Sequence, residues 1–90
     1  MSQVKVEVPP HVQFTRVEGD YVLMDIKTGV FLGLDPVASR IWQSLAEHGD
    51  PRRAAEELCR DYDVEPDRAL ADVEAWVAEL LRRGLVLPRG

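Results

Sequence analysis

One cysteine, Cys59, is all the chain holds, so no internal disulfide can staple it. Its place within an apolar helical pattern marks it as a small buried hydrophobe rather than a reactive thiol. Histidine is nearly as scarce. His11 and His48 stand far apart, and neither has a Cys or His partner at ligand spacing, so no metal site is expected. Of the three serines, Ser39 and Ser44 fall in a helical segment, and no Ser/His/Asp set can be assembled. No GxGxxG or Walker-type loop occurs, which leaves nucleotide binding unsupported, and no cofactor is expected. The carboxylate pair Glu56-Glu57 reads as a solvated helix face. Long apolar runs are also missing: Asp25, Lys27 and Asp35 interrupt the most hydrophobic region well short of the ~20 residues of a membrane span. The opening MSQVKVEVPP has no apolar signal segment, so a cytoplasmic location is expected. Together these absences argue against an enzyme, a metalloprotein and a membrane protein.

What is present fits one small domain spanning residues 1–90. The hydrophobic share of 46% and the charged share of 30% are those of a globular chain. A chain of this length buries about 60–65% of its unfolded surface, enough for one modest core but not for a core plus an enclosed substrate cavity. The net charge is −5, from 11 basic and 16 acidic residues. Residues 1–34 hold three basic and four acidic groups, residues 35–90 eight and twelve, so the C-terminal part is the more acidic. Such a surface repels a phosphate backbone.

Hydrophobic periodicity divides the chain into strands followed by helices. Val4, Val6 and Val8 alternate with polar residues and suggest a short strand, stopped by Pro9-Pro10. Whether that segment joins the sheet or forms a loose arm stays open. A second alternating run spans His11 to Val17, followed by a turn at Gly19-Asp20. Tyr21–Ile26 and Val30–Leu34 form a hairpin joined by Lys27-Thr28-Gly29, with Gly29 placed for a positive φ. On its second arm Val30, Leu32 and Leu34 share one face, and Phe31 and Gly33 the other. Gly33 weakens the strand, and lets another backbone or side chain approach closely or marks a bend.

Three helix starts follow: Asp35-Pro36, Asp50-Pro51 and Glu65-Pro66, each a cap or acidic residue before proline. The core stripes are Val37, Ala38, Ile41, Trp42 and Leu45 in the first helix. They are Ala54, Ala55, Leu58, Cys59 and Tyr62 in the second, and Leu70, Val73, Val77, Leu80 and Leu81 in the third. Gly49 and Gly84 end the first and third helices. Strands followed by helices imply an α+β domain. The specific expectation is a winged helix-turn-helix-like fold, with a small antiparallel three-stranded sheet followed by three helices.

The arm Val30–Leu34 carries no charge and no proline, and nothing in the sequence obviously covers it unless the Val4–Val8 segment does. An edge of that kind invites aggregation unless it is a binding site. At 100° per residue, Ala69, Asp72, Trp76 and Arg83 lie on one flank of the third helix, with Glu79 a little further round. Strand edge and helix flank define a groove in which a peptide can pair its backbone while its side chains enter pockets.

The ordered passages VLMDIKTGVFLGLDPVASRIW, EELCRDYDV and ALADVEAWVAELLRRGLV resemble the PqqD-like family of RiPP recognition elements. They look most like the standalone leader-binding proteins of lasso-peptide biosynthesis. The resemblance covers about residues 11–87. It implies a non-catalytic domain that binds the leader of a ribosomally made precursor by β-strand addition and delivers it to a leader peptidase and a lasso cyclase. By position it would make Val30, Phe31, Leu32, Gly33 and Leu34 the pairing strand, and Ala69, Asp72, Trp76, Glu79 and Arg83 the helix side. Lasso leaders commonly present Tyr-x-x-Pro, so an aromatic-lined pocket is expected. Asp35 stands where the family often has Asn, and both residues cap helices. A monomer or weak homodimer is expected, without nucleic-acid partners. The rival reading is a DNA-binding winged helix, which the helix order permits. It requires a basic recognition helix, whereas Pro66 to Arg83 holds four acidic and three basic residues.

Overall fold

A computed structural model describes residues 5–89 of the chain. Three antiparallel strands, β2 (Val12–Val17), β3 (Asp20–Asp25) and β4 (Val30–Gly33), form a sheet in the order β2-β3-β4. The β2–β3 turn is tight, with Glu18 and Gly19 both at positive φ, which suits the twist of the flanking strands. The sheet is followed by helices α1 (Pro36–His48), α2 (Pro51–Asp61) and α3 (Pro66–Arg82). This is the α+β, three-strand, three-helix arrangement that the periodicity implies.

Each helix begins where its local chemistry dictates. Asp35 accepts from the Ala38 amide at 2.8 Å and Asp50 from the Arg52 amide at 3.1 Å, and proline occupies the first turn in both. Glu65 makes no side-chain cap, so the α3 start rests on Pro66 and on Val64 packed against the core. Gly49 closes α1 in the left-handed region at φ 68°. It has a second reason to be glycine: a Cβ there would stand 2.3 Å from the Val6 carbonyl oxygen.

The apolar stripes meet on one face of the sheet. Trp42, Leu23, Leu45, Leu80 and Val73 are fully buried, each worth about 1.5–3 kcal/mol of transfer energy for a side chain of this kind. α1 packs on β3, and α2 lies between α1 and α3. Ser39 sits where β3 and β4 diverge: its Oγ accepts from the Tyr21 amide at 2.9 Å and reaches the Leu34 carbonyl at 3.4 Å.

Several expectations change, among them Val37, which is 41% exposed rather than part of the α1 core stripe. The N-terminal segment supplies only β1 (Val6–Glu7), which pairs not with the main sheet but with β5 (Leu87–Pro88). Val4 lies outside the described residues. The Arg89 amide donates to the Lys5 carbonyl and extends this two-stranded clasp, and the Val6 amide donates to the Gly49 carbonyl and ties it to the end of α1. Tyr62 is exposed, because α2 ends at Asp61 and the chain turns extended there. Glu57 is buried rather than solvated, 6% exposed, between α1 and α2, with Arg40, Arg53 and Arg60 about it. Burial pushes its carboxyl upward, but the neighbouring Ser44 and Arg53 and the charge of Arg40 outweigh that and hold it below the usual glutamate range.

Candidate functional site

The two outer strands of the sheet present opposite situations. In an antiparallel ladder, alternate residues direct both backbone groups to the same neighbour. The Leu34 amide donates to the Tyr21 carbonyl at 2.9 Å, so Leu34, Leu32 and Val30 face β3. By that alternation the N–H and C=O groups of Phe31 and Gly33 face outward, and no described segment pairs with them, since β1 pairs with β5. Val30 and Phe31 are 56% and 67% exposed, so a chargeless, proline-free strand presents its backbone to solvent.

Beside this edge, on the helix side of the sheet, lies a cleft of about 250 Å³. Its hairpin wall is Leu23, Asp25, Thr28, Val30 and Leu32, and its far wall is Arg83 with Leu85 after α3. Small-molecule sites occupy about 300–1,000 Å³, so this one has room for a single large side chain. His11 spans the two walls. Its carbonyl accepts from the Ile26 amide at 2.8 Å, at the end of β3, and its Nε2 stands 3.3 Å from the Gly84 carbonyl.

The residues singled out in the sequence divide accordingly. Val30 and Leu32 line the cleft, with Leu32 half-buried opposite Leu23. Phe31 lies on the outer face opposite Met24, and Gly33 opposite Val22. A Cβ at Gly33 would meet nothing within 4 Å and its φ is not positive, so neither crowding nor backbone strain explains it; its missing side chain leaves a gap beside Phe31. Leu34 is buried, 7% exposed, and belongs to the core. Arg83, which caps the C-terminal end of α3, reaches the cleft. Glu79 is held to Arg83 at 2.6 Å and also bonds Arg82, and these two arginines hold its carboxyl below the usual glutamate range. Trp76, about two turns before Arg83, is half-buried with Nε1 shielded and unpaired. Ala69 is completely buried in the helix packing, so it offers no open wall. Asp72 lies toward the other end of α3, bonded to Arg68 and grouped with Asp63, Val64 and Glu65.

The pocket differs from the expected aromatic one: four aliphatic residues share its lining with Asp25, Thr28 and Arg83, and Trp76 is not among them. Leu23, Asp25, Thr28 and Leu85 were not singled out as site residues. The alternation of β3 could have marked Leu23 and Asp25 as sharing the Val30 and Leu32 face. Leu85 follows the helix, and only the tertiary fold brings it opposite the hairpin.

The electrostatics fit a peptide better than a nucleic acid. Arg68 is paired with Asp72, and Arg82 and Arg83 with Glu79, so the cations of α3 are already matched by acids on the same helix. Among the described residues no three His, Cys, Asp or Glu side chains cluster as metal ligands, and no helix is long and apolar enough to cross a membrane. A larger hollow of about 510 Å³ between α2 and α3 contains no strand residue, and its rim mixes Arg52 and Arg60 with Glu56 and Asp67.

Comparison with known proteins places this geometry. The family model of coenzyme PQQ synthesis protein D (PqqD) matches residues 20–86. A search of curated protein sequences finds no match. Two solved structures share the fold. "TbiB1 in complex with the TbiA(beta) leader peptide" is 28% identical, with a TM-score of 0.83 over 93% of this chain and 98% of that one. "Lasso peptide synthetase B1 complexed with the leader peptide" is also 28% identical, with a TM-score of 0.84 over 93% and 99%. With the matched stretch running from β3 to the buried residues after α3, the chain belongs to the PqqD family and is a PqqD-like RiPP recognition element.

Proposed function

We propose that this protein binds the leader of a ribosomally synthesised precursor peptide in lasso-peptide biosynthesis and does no chemistry itself. The leader adds as a fourth strand to the outward backbone groups of Phe31 and Gly33. One large apolar side chain of the leader enters the cleft over Leu23, Val30, Leu32 and Leu85, with Arg83 at its rim. The bound precursor is thereby delivered to a leader peptidase and a lasso cyclase, at an effective concentration set by tethering rather than by free diffusion. The observation that carries this reading is the unpaired, chargeless β4 edge beside a side-chain-sized cleft. It is supported by two similar proteins whose structures each hold a leader peptide.

Leu32→Asp tests it. The carboxylate enters the floor of the cleft, while the Leu32 backbone still bonds β3. Titration of a candidate leader, followed by tryptophan fluorescence or calorimetry, should lose at least roughly 100-fold in affinity, about 2.7 kcal/mol, with the helical circular dichroism retained. Unchanged affinity in a folded variant overturns strand addition at β4.

A further inference from the structure

The fold itself gives no reason for Gly33. Its φ is not positive, and a Cβ there would meet no atom within 4 Å, so the position accepts other residues. Glycine in a strand interior is destabilising relative to alanine, because it loses more freedom on folding and has no side chain to pack. Gly33 does, however, direct its backbone outward. A strand added at this edge brings a residue directly alongside it, with facing Cα atoms about 5.5 Å apart in an antiparallel hydrogen-bonded pair. Residues facing each other across paired strands point to the same side of the sheet. The cleft lies on the helix side with Val30 and Leu32, whereas Phe31 and Gly33 belong to the outer side, opposite Met24 and Val22 of β3. Phe31 is 67% exposed there, Val22 and Met24 are only half-buried, and none of these residues carries a charge. The missing side chain therefore opens an apolar notch, with Val22 behind it and Phe31 beside it. An aromatic ring laid across an edge glycine from the neighbouring strand restores the packing that the glycine lacks. A diagonal neighbour on the same face is also within the reach of such a ring.

We infer that the leader carries an aromatic side chain that lies over Gly33 on the outer face of the sheet, against Val22 and Phe31, and that Gly33 is a specificity-determining residue for the leader. This rests on the strand addition at β4 proposed above and adds a second contact, on the face opposite the cleft. The leader is then held from both sides of the sheet, by one side chain in the cleft and by the ring over Gly33. Because successive residues of a strand point to opposite faces, those two side chains stand an odd number of residues apart in the leader. A larger residue at position 33 fills the notch and leaves the ring no place to lie.

Calorimetric titration of a synthetic leader that binds the unmodified protein, repeated with Gly33→Val and Gly33→Ala, tests this. Both variants should unfold in urea at an unchanged or higher midpoint, since the added side chain meets open space and strand propensity rises. Leader affinity should nevertheless fall, about tenfold for Gly33→Val and about threefold for Gly33→Ala, the scale of one aromatic contact. The alanine variant carries the test if the valine variant does not fold. Each aromatic residue of the leader is then changed to alanine in turn. One such change should lose about tenfold against the unmodified protein but less than about twofold against Gly33→Val, where the contact is already gone. Affinity that is unchanged or improved in both folded variants, as for an ordinary edge strand gaining propensity, overturns the inference. So does a leader in which no aromatic position is coupled to Gly33. The two readings fail separately. If Leu32→Asp abolishes binding while the Gly33 variants leave it intact, strand addition stands and the contact over Gly33 alone falls. If Leu32→Asp leaves binding intact, strand addition falls and this inference falls with it.

Discussion

The two edges of the one sheet have been treated in opposite ways. β2 is the longer, with six residues, yet it is guarded. Its first outward amide, Val12 N–H, is taken by the Pro9 carbonyl at 3.1 Å, and Pro9-Pro10 turns the chain away. Arg16 sets a charge on it, packed over the Tyr21 ring at 4.9 Å. Phe14 leans inward, edge-on to Trp42 at 5.4 Å and to Tyr21 at 5.9 Å, and pins the strand to the helices. β4 has four residues and none of these devices. Its aromatic residue, Phe31, points away from the helices and is 67% exposed. Proline, charge and inward aromatics are the ordinary means of closing a sheet edge. Their presence on β2 and absence from β4 mark the second edge as the one kept open for pairing.

The largest test of that contrast is a matched pair of prolines. Phe31 and Arg16 both direct their N–H groups outward, so proline at either removes an edge donor without breaking a bond to β3. Phe31→Pro should cut leader affinity by at least roughly 100-fold, and Arg16→Pro should leave it within about twofold, both read by calorimetric titration. Equal losses would mean that the edges are equivalent. A smaller effect separates the aromatics. Phe14→Ala should cost about 2 kcal/mol in urea unfolding, through lost contact with Trp42 and Tyr21. Phe31→Ala should change stability by no more than about 0.5 kcal/mol. If Phe31 proves as stabilising as Phe14, it belongs to the core and not to a working edge.

Much of this was legible because it is locally encoded. Asp35-Pro36 and Asp50-Pro51 carry cap and first-turn chemistry within two residues, and the alternation of Val30 to Leu34 needs no tertiary information to assign its faces. The β1–β5 clasp was not legible, since it joins Val6 to Pro88 across nearly the whole chain through two-residue strands. No local pattern encodes such a pairing. Glu57 is a similar case: its burial follows from three arginines, one of them on a different helix. On α3 the hundred-degree rule placed Ala69 on the groove flank, yet packing against α2 buries it completely. A helix's rotation about its axis is set by its neighbours and not by its own sequence. The far wall of the cleft, Leu85, depends on the chain reversal at Gly84 and on the contact that His11 makes there.

Amide hydrogen exchange of the dilute protein, with and without a leader peptide, tests the open edge most directly. The amides of Phe31 and Gly33 should exchange freely in the leader-free monomer and become protected when leader binds, while the outward amides of Phe14 and Arg16 on β2 stay unchanged. Protection that appears on β2 or between α2 and α3, with Phe31 and Gly33 still exchanging freely, would contradict strand addition at β4.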